Sequence, residues 1–126
     1  MNSPIHIPIL RFGRAYESLD RIKFDLGGQV LEVSMANSGL IRRDLPLIPR
    51  GVDSLQAIPC STLADRCEKA AELFLTGHLP WGTGDRLQSP DDYVAALSQL
   101  TGLPHSLGRL NMGKVHAAMA NIRAVL

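Results

Sequence analysis

Apolar positions change their period along this chain. Residues 5–10 alternate weakly as an extended segment. Pro4 and Pro8 make it an edge strand or an irregular arm, because proline cannot donate to a sheet ladder. Residues 12–19 read as a connecting turn. Residues 21–24 and 30–35 read as the two strands of a hairpin around Leu26, Gly27, Gly28 and Gln29, where the glycines admit the positive φ of a tight turn. From residue 37 the period becomes helical. Asn37 or Ser38 caps a helix through Leu40, Ile41 and Leu45, and Pro46 stops it because the residue before proline is pushed out of the α region. The stretch LPLIPRGVD reads as a kink or loop carrying apolar side chains, and residues 53–57 as a short helical turn closed by Pro59.

The clearest helix begins near Ser61. Leu63, Cys67, Ala70 and Phe74 recur there at helical spacing, with Asp65, Arg66, Glu68, Lys69 and Glu72 between them, and Gly77 ends it. HLPWGTGDRLQ reads as a long loop. Ser89, Pro90, Asp91 and Asp92 then open another helix with a capping serine, a proline at the first position and two carboxylates on the positive end of the dipole. Tyr93, Val94, Leu97 and Leu100 supply its apolar face and Gly102 stops it. The last helix starts at Leu103 and Pro104. Its apolar stripe runs through Leu107, Leu110 or Asn111, Val115, Ala118, Met119, Ile122 and Val125.

These elements predict a mainly α fold: three to four main helices with a small N-terminal β-hairpin. They form one domain over residues 1–126, the arm and hairpin in 1–35 and the helical part in 36–126. The expected core is Leu40, Ile41, Leu63, Cys67, Ala70, Phe74, Val94, Leu97, Leu107, Val115, Met119 and Ile122.

Composition narrows the function classes. At 126 residues, 45% hydrophobic and 20% charged, the chain is an ordinary globular sequence that needs no disulfide or metal staple. It is short for a complete dinucleotide-dependent enzyme, which usually needs two βαβ layers or a second domain. Thirteen basic against twelve acidic residues leave a net charge of +1, which sets aside nucleic acid and anionic membranes as primary partners. No stretch approaches 18 consecutive apolar residues and no leader pattern opens the chain, so the expected compartment is the cytoplasm. Cys60 and Cys67, about 10 Å apart along a helix, are expected to be reduced core residues. His6, His78, His105 and His116 form no pair at metal-ligand spacing, so no metal site is expected.

No local signature of nucleophilic catalysis is present: there is no G-x-S-x-G turn, no C-x-x-C and no H-E-x-x-H. Asp91 and Asp92 point apart on a helix and serve its dipole, His105 belongs to a helix entry, and Gly82, Thr83 and Gly84 lack the strand and Lys-Ser/Thr context of a phosphate loop. No catalytic, cofactor-binding or metal-binding residue is therefore expected. The candidate contacts to a protein partner, or to a second copy, are Trp81 on its Pro and Gly loop and Val115, Met119 and Ile122 on the last helix.

Four stretches carry a resemblance: IPILRFGRAYESLD, EVSMANSGLIRRDL, LADRCEKAAELFLTGHLP and SPDDYVAALSQLTGLPHSLGRLNMGKV. In their order and wording they resemble the N-terminal segment of a bacterial branch of the aldehyde dehydrogenase superfamily. The resemblance implies a piece of an NAD(P)-dependent oxidoreductase, whose full subunit is several times longer. That family's catalytic cysteine, general-base glutamate and cofactor contacts lie in later segments with no counterpart here, so nothing catalytic carries over to Cys60, Cys67 or any glutamate. NAD(P) is implied only for a full-length relative. The expected role is packing and assembly within an oligomer; the alternative is an independent small helical protein–protein interaction module.

Overall fold

The glycines at 27 and 28 turn the chain back where the pattern places a hairpin. In the computed structural model, which describes residues 3–126, β4 (Arg21–Asp25) and β5 (Val30–Ser34) pair antiparallel with Asp25 opposite Val30. Gly27 and Gly28 both have positive φ, and the Gly28 N–H donates to Asp25 Oδ1 at 2.8 Å. A lone hairpin is marginal in water. This one is completed by β1 (Ile5–Ile7), which pairs with β5 in parallel, Ile5 opposite Leu31.

The segment expected to be a plain turn is a second hairpin. β2 (Ile9–Arg11) and β3 (Arg14–Tyr16) pair antiparallel with Arg11 opposite Arg14, leaving a two-residue loop of Phe12 and Gly13. Both loop residues have positive φ, 48° and 79°, as a type I′ turn requires. A third ladder joins β6 (Leu79–Pro80) to β7 (Leu87–Gln88) within the expected long loop.

The helices follow. α1 (Ser38–Asp44) is capped by Asn37, whose Oδ1 accepts from the Leu40 N–H at 2.8 Å. A 3₁₀ turn, Leu45–Leu47, leads to α2 (Ile48–Gln56), then α3 (Cys60–Thr76), α4 (Pro90–Thr101) and α5 (His105–Ala120), followed by a second 3₁₀ turn, Ile122–Ala124. The kink expected over residues 45–53 is helical because Pro46 and Pro49 both fall in the first turn of their elements. Their missing N–H groups have no intrahelical partner to lose there.

Two compact units result. The first holds the chain up to Ile58 together with Trp81–Asp85; the second holds Pro59–Pro80 and Arg86–Leu126. The described residues are 54% helix and 19% strand, with five α-helices and three small sheets. The fold is therefore mixed α and β, which corrects the expectation of a mainly α domain with a single hairpin. Strands of two or three residues are too short for alternation to show in sequence, and β1 finds β5 across more than twenty intervening residues.

Each unit has its own interior. Ile5, Leu26, Leu31 and Leu40 are buried in the first, and Ala64, Ala71, Val94, Gly108 and Met112 in the second. In the second unit α3 and α4 both pack on α5. The buried residues of α3 are Ala64 and Ala71; of the expected stripe, Leu63, Cys67 and Phe74 are half-buried and Ala70 is exposed. Small side chains let the helices approach closely: a Cβ on Gly108 would lie 3.4 Å from Val94 Cγ1. Phe74 is half-buried, edge-on to Tyr93 at 5.6 Å. Ile41, Leu107 and Val115 are exposed, and Cys60 lies on the surface rather than in a core. Both cysteines are free.

Candidate functional site

A serine, a histidine and a carboxylate converge in the first unit. In the parallel pairing of β1 with β5, His6 stands opposite Glu32, so Ser34, two residues on, shares its face of the sheet. His6 Nε2 lies 2.7 Å from Ser34 Oγ, and His6 Nδ1 lies 3.4 Å from Glu17 Oε1 without hydrogen-bond geometry. The residue types match a nucleophile, a base and an orienting acid. The hydroxyl, however, is an internal strut. Ser34 is 6% exposed and its Oγ also accepts the Ser18 N–H at 3.0 Å, while Ser18 Oγ accepts the Asp20 N–H at 3.1 Å. The neighbouring cavity, of about 250 Å³, is lined by Tyr16, Ser18, Leu19, Asp20 and Asn37, not by His6 or Ser34. This group ties β1, β5 and the 17–20 turn together.

A second polar group fastens the helices to the hairpin. Arg11 of β2 donates from Nε and Nη2 to the two carboxylate oxygens of Asp44, at 2.7 and 2.5 Å, and its guanidinium lies 4.8 Å over the Tyr16 ring. That bidentate hydrogen bonding, with Arg43 nearby, holds the Asp44 carboxyl below the usual aspartate range.

Outside this clamp the first unit leaves apolar surface uncovered. Ile41, Leu45, Ile48, Val52 and Leu55 recur 4, 3, 4 and 3 residues apart through α1, the 3₁₀ turn and α2, which is the a/d spacing of a helix–helix seam. Each of the five is between 45% and 56% exposed. Two grooves flank the seam. One, of about 310 Å³, runs between β2 and α1 and includes Leu10, Ile41, Leu45 and Ile48 in its lining. The other, of about 1040 Å³, runs between the Phe12 turn and α2. Phe12 lines both, and Gly51 of α2 gives its ring room: a Cβ there would stand 3.7 Å from Phe12 Cε1.

Of the contacts expected from sequence, Val115 is exposed on α5 and Met119 and Ile122 are half-buried at its end. Trp81 is half-buried in the first unit, and the other three belong to the second. The seam was missed because Pro46 and Pro49 suggest a loop. The 4-3-4-3 spacing of its apolar residues was the signal that could have found it.

Among the described residues no group of three or more His, Cys, Asp or Glu is placed to hold a metal ion, and no helix is long and apolar enough to cross a membrane. The glycine turns do not fit a dinucleotide. A phosphate cradle needs free N–H groups at a helix entry, whereas the Thr83 N–H is spent on His6 O at 2.9 Å and the Gly28 N–H on Asp25. What the first unit presents instead is apolar surface, at the seam and along its two grooves. Compared with known proteins, the chain matches no family model, no curated protein and no solved structure.

Proposed function

We propose that this chain is the non-catalytic N-terminal portion, or a separate subunit, of an aldehyde dehydrogenase-like, NAD(P)-dependent oxidoreductase of the cytoplasm, and that its role is packing and assembly. The four resembling stretches motivate the family. The observation that carries the assembly role is the seam Ile41, Leu45, Ile48, Val52 and Leu55, five large apolar side chains that recur 4, 3, 4 and 3 residues apart and are each left about half exposed. Scattered surface leucines need no explanation, but a continuous apolar line marks a surface that another element covers. Chemistry then falls to the catalytic chain, which supplies the nucleophile, the base and the dinucleotide site.

The test is the mass and activity of the native complex. Purified through a tag on the endogenous protein, it is expected to contain a larger chain in fixed stoichiometry and to oxidise aldehydes with NAD(P). A particle of the mass of the chain alone, or a stable complex with a protein that has no dehydrogenase activity, would overturn the reading. The second of those outcomes would make the chain an independent interaction module.

A further inference from the structure

We infer that the seam on α1 and α2, together with the groove beside Phe12, is the docking site for an acidic amphipathic helix of a protein partner. This rests on the assembly reading above and adds the chemistry of what is assembled.

Shape selects a helix. The a/d spacing of the seam is the spacing at which one helix presents knobs to another, and the groove floor of Phe12, Leu47, Leu55 and Ile58 extends the same apolar surface along α2. An open trough of this kind receives a line of side chains at i, i+3 or i+4, and i+7. A small ligand would instead be enclosed on most sides.

Charge selects the partner. Arg14 and Arg50 stand on the walls of the groove, and no acidic residue lines it. Neither guanidinium has a carboxylate partner in the described structure, and Arg42 and Arg43 add cations on α1. Of the carboxylates on α1 and α2, Asp44 is occupied by Arg11, and Asp53, beside Val52 in the chain, lines neither groove. A second copy would bring the same excess of arginine against itself, whereas an acidic helix would neutralise it.

Strain points to the same place. Phe12 is a bulky side chain held at φ 48°, a conformation that L residues other than Asn and Asp rarely adopt, and it is 54% exposed. Asparagine followed by glycine would suit this turn better. The aromatic ring is kept where the backbone disfavours it and where the chain itself covers only part of it, and it forms the ridge between the two grooves.

The experiment measures fluorescence anisotropy of the full chain with labelled alanine-based peptides of about four turns, leucines at a/d spacing and either glutamate or lysine on the flanks. The glutamate peptide is expected to bind at least about tenfold tighter than the lysine peptide, and the margin is expected to shrink as salt rises. Arg14→Glu with Arg50→Glu should reverse the preference. Phe12→Asn should weaken binding about tenfold while the hairpin is kept or strengthened, which circular dichroism and thermal melting would verify. Equal binding of the two peptides, or full affinity in Phe12→Asn, would overturn the inference. So would binding to phosphatidylglycerol vesicles without binding to either peptide, or sedimentation of the chain as a dimer that Leu55→Glu dissociates. The two readings fail separately. A dehydrogenase chain that stays bound to the Arg14→Glu, Arg50→Glu variant leaves the assembly reading and removes this one. Selective binding of the glutamate peptide with no dehydrogenase in the native complex does the reverse.

Discussion

The two units of this chain solve the same problem with different materials. The second brings three helices together over small residues. Ala64, Ala71 and Gly108 let backbones close in around Val94, the largest fully buried side chain. Its edges are tied by ion pairs between helices, Arg123 with Asp65 and Glu68 and Arg109 with Asp91 at 2.5 Å, and by the hydrogen bond between His116 Nε2 and Glu72 Oε1 at 2.8 Å. The first unit instead ties short strands together with a buried serine–histidine group and an arginine clamp, and keeps a line of large apolar side chains outside. The second unit also exposes leucines, among them Leu73, Leu107 and Leu110. What distinguishes the first is that its exposed residues recur at helix-pairing spacing and most of them line grooves. Interior size alone does not show this difference; the spacing of what is left outside does.

Three substitutions or conditions probe this contrast, taken from the largest effect to the smallest. Gly82→Ala strikes the first unit where strands and loop meet. A Cβ there would fall 2.3 Å from His6 O on a backbone with φ +72°, so thermal or denaturant unfolding should show a loss of about 3 kcal/mol. A near-neutral result would mean that the loop over residues 81–85 is not held against β1. Ala71→Leu strikes the second unit at a position with no exposure, and overfilling the close approach of α3 should cost about 2 kcal/mol in the same assay. Hydrogen exchange should locate the loss in α3 and α5, leaving β4 and β5 protected; a loss spread evenly over both units would deny them separate interiors.

The smallest effect is on pH. Asp44 in the first unit and Asp92 in the second both titrate below the usual aspartate range, the one through its hydrogen bonds to Arg11, the other through the Ser89 hydroxyl and backbone N–H of its capping box. A depressed carboxyl stabilises the fold above its unfolded value, near pH 4, and that stability fades as pH falls through the folded value. Both groups are solvent-accessible, so the effect is modest. Asp44→Asn should flatten the acid-side loss of protection in α1 and leave that of α4 unchanged, and Asp92→Asn should do the opposite. Equal responses of both helices to either substitution would show that the clamp and the cap do not act locally.

Legibility followed the range of the interactions. The capping box of α4 is built from Ser89 and Asp92, three residues apart, and the β4–β5 hairpin from a glycine pair and its flanks. Both could be read because their parts are neighbours in the chain. The seam was legible in its spacing but hidden by its prolines, which stop a helix in its interior and start one in its first turn. Nothing local announces the Ser34 group, whose members come from residues 6, 17, 18 and 34.

By itself, then, the sequence determined the helices that carry their own start and stop signals and the hairpin that turns on a glycine pair. Only the tertiary structure decided which line of α3 is buried, that β1 closes a sheet with β5, and that the apolar residues of α1 and α2 remain outside. The physical reason is that caps and turns act over three or four residues, whereas burial depends on which helix faces approach closely enough to exclude water. In the second unit that choice fell to alanine and glycine rather than to the larger residues beside them.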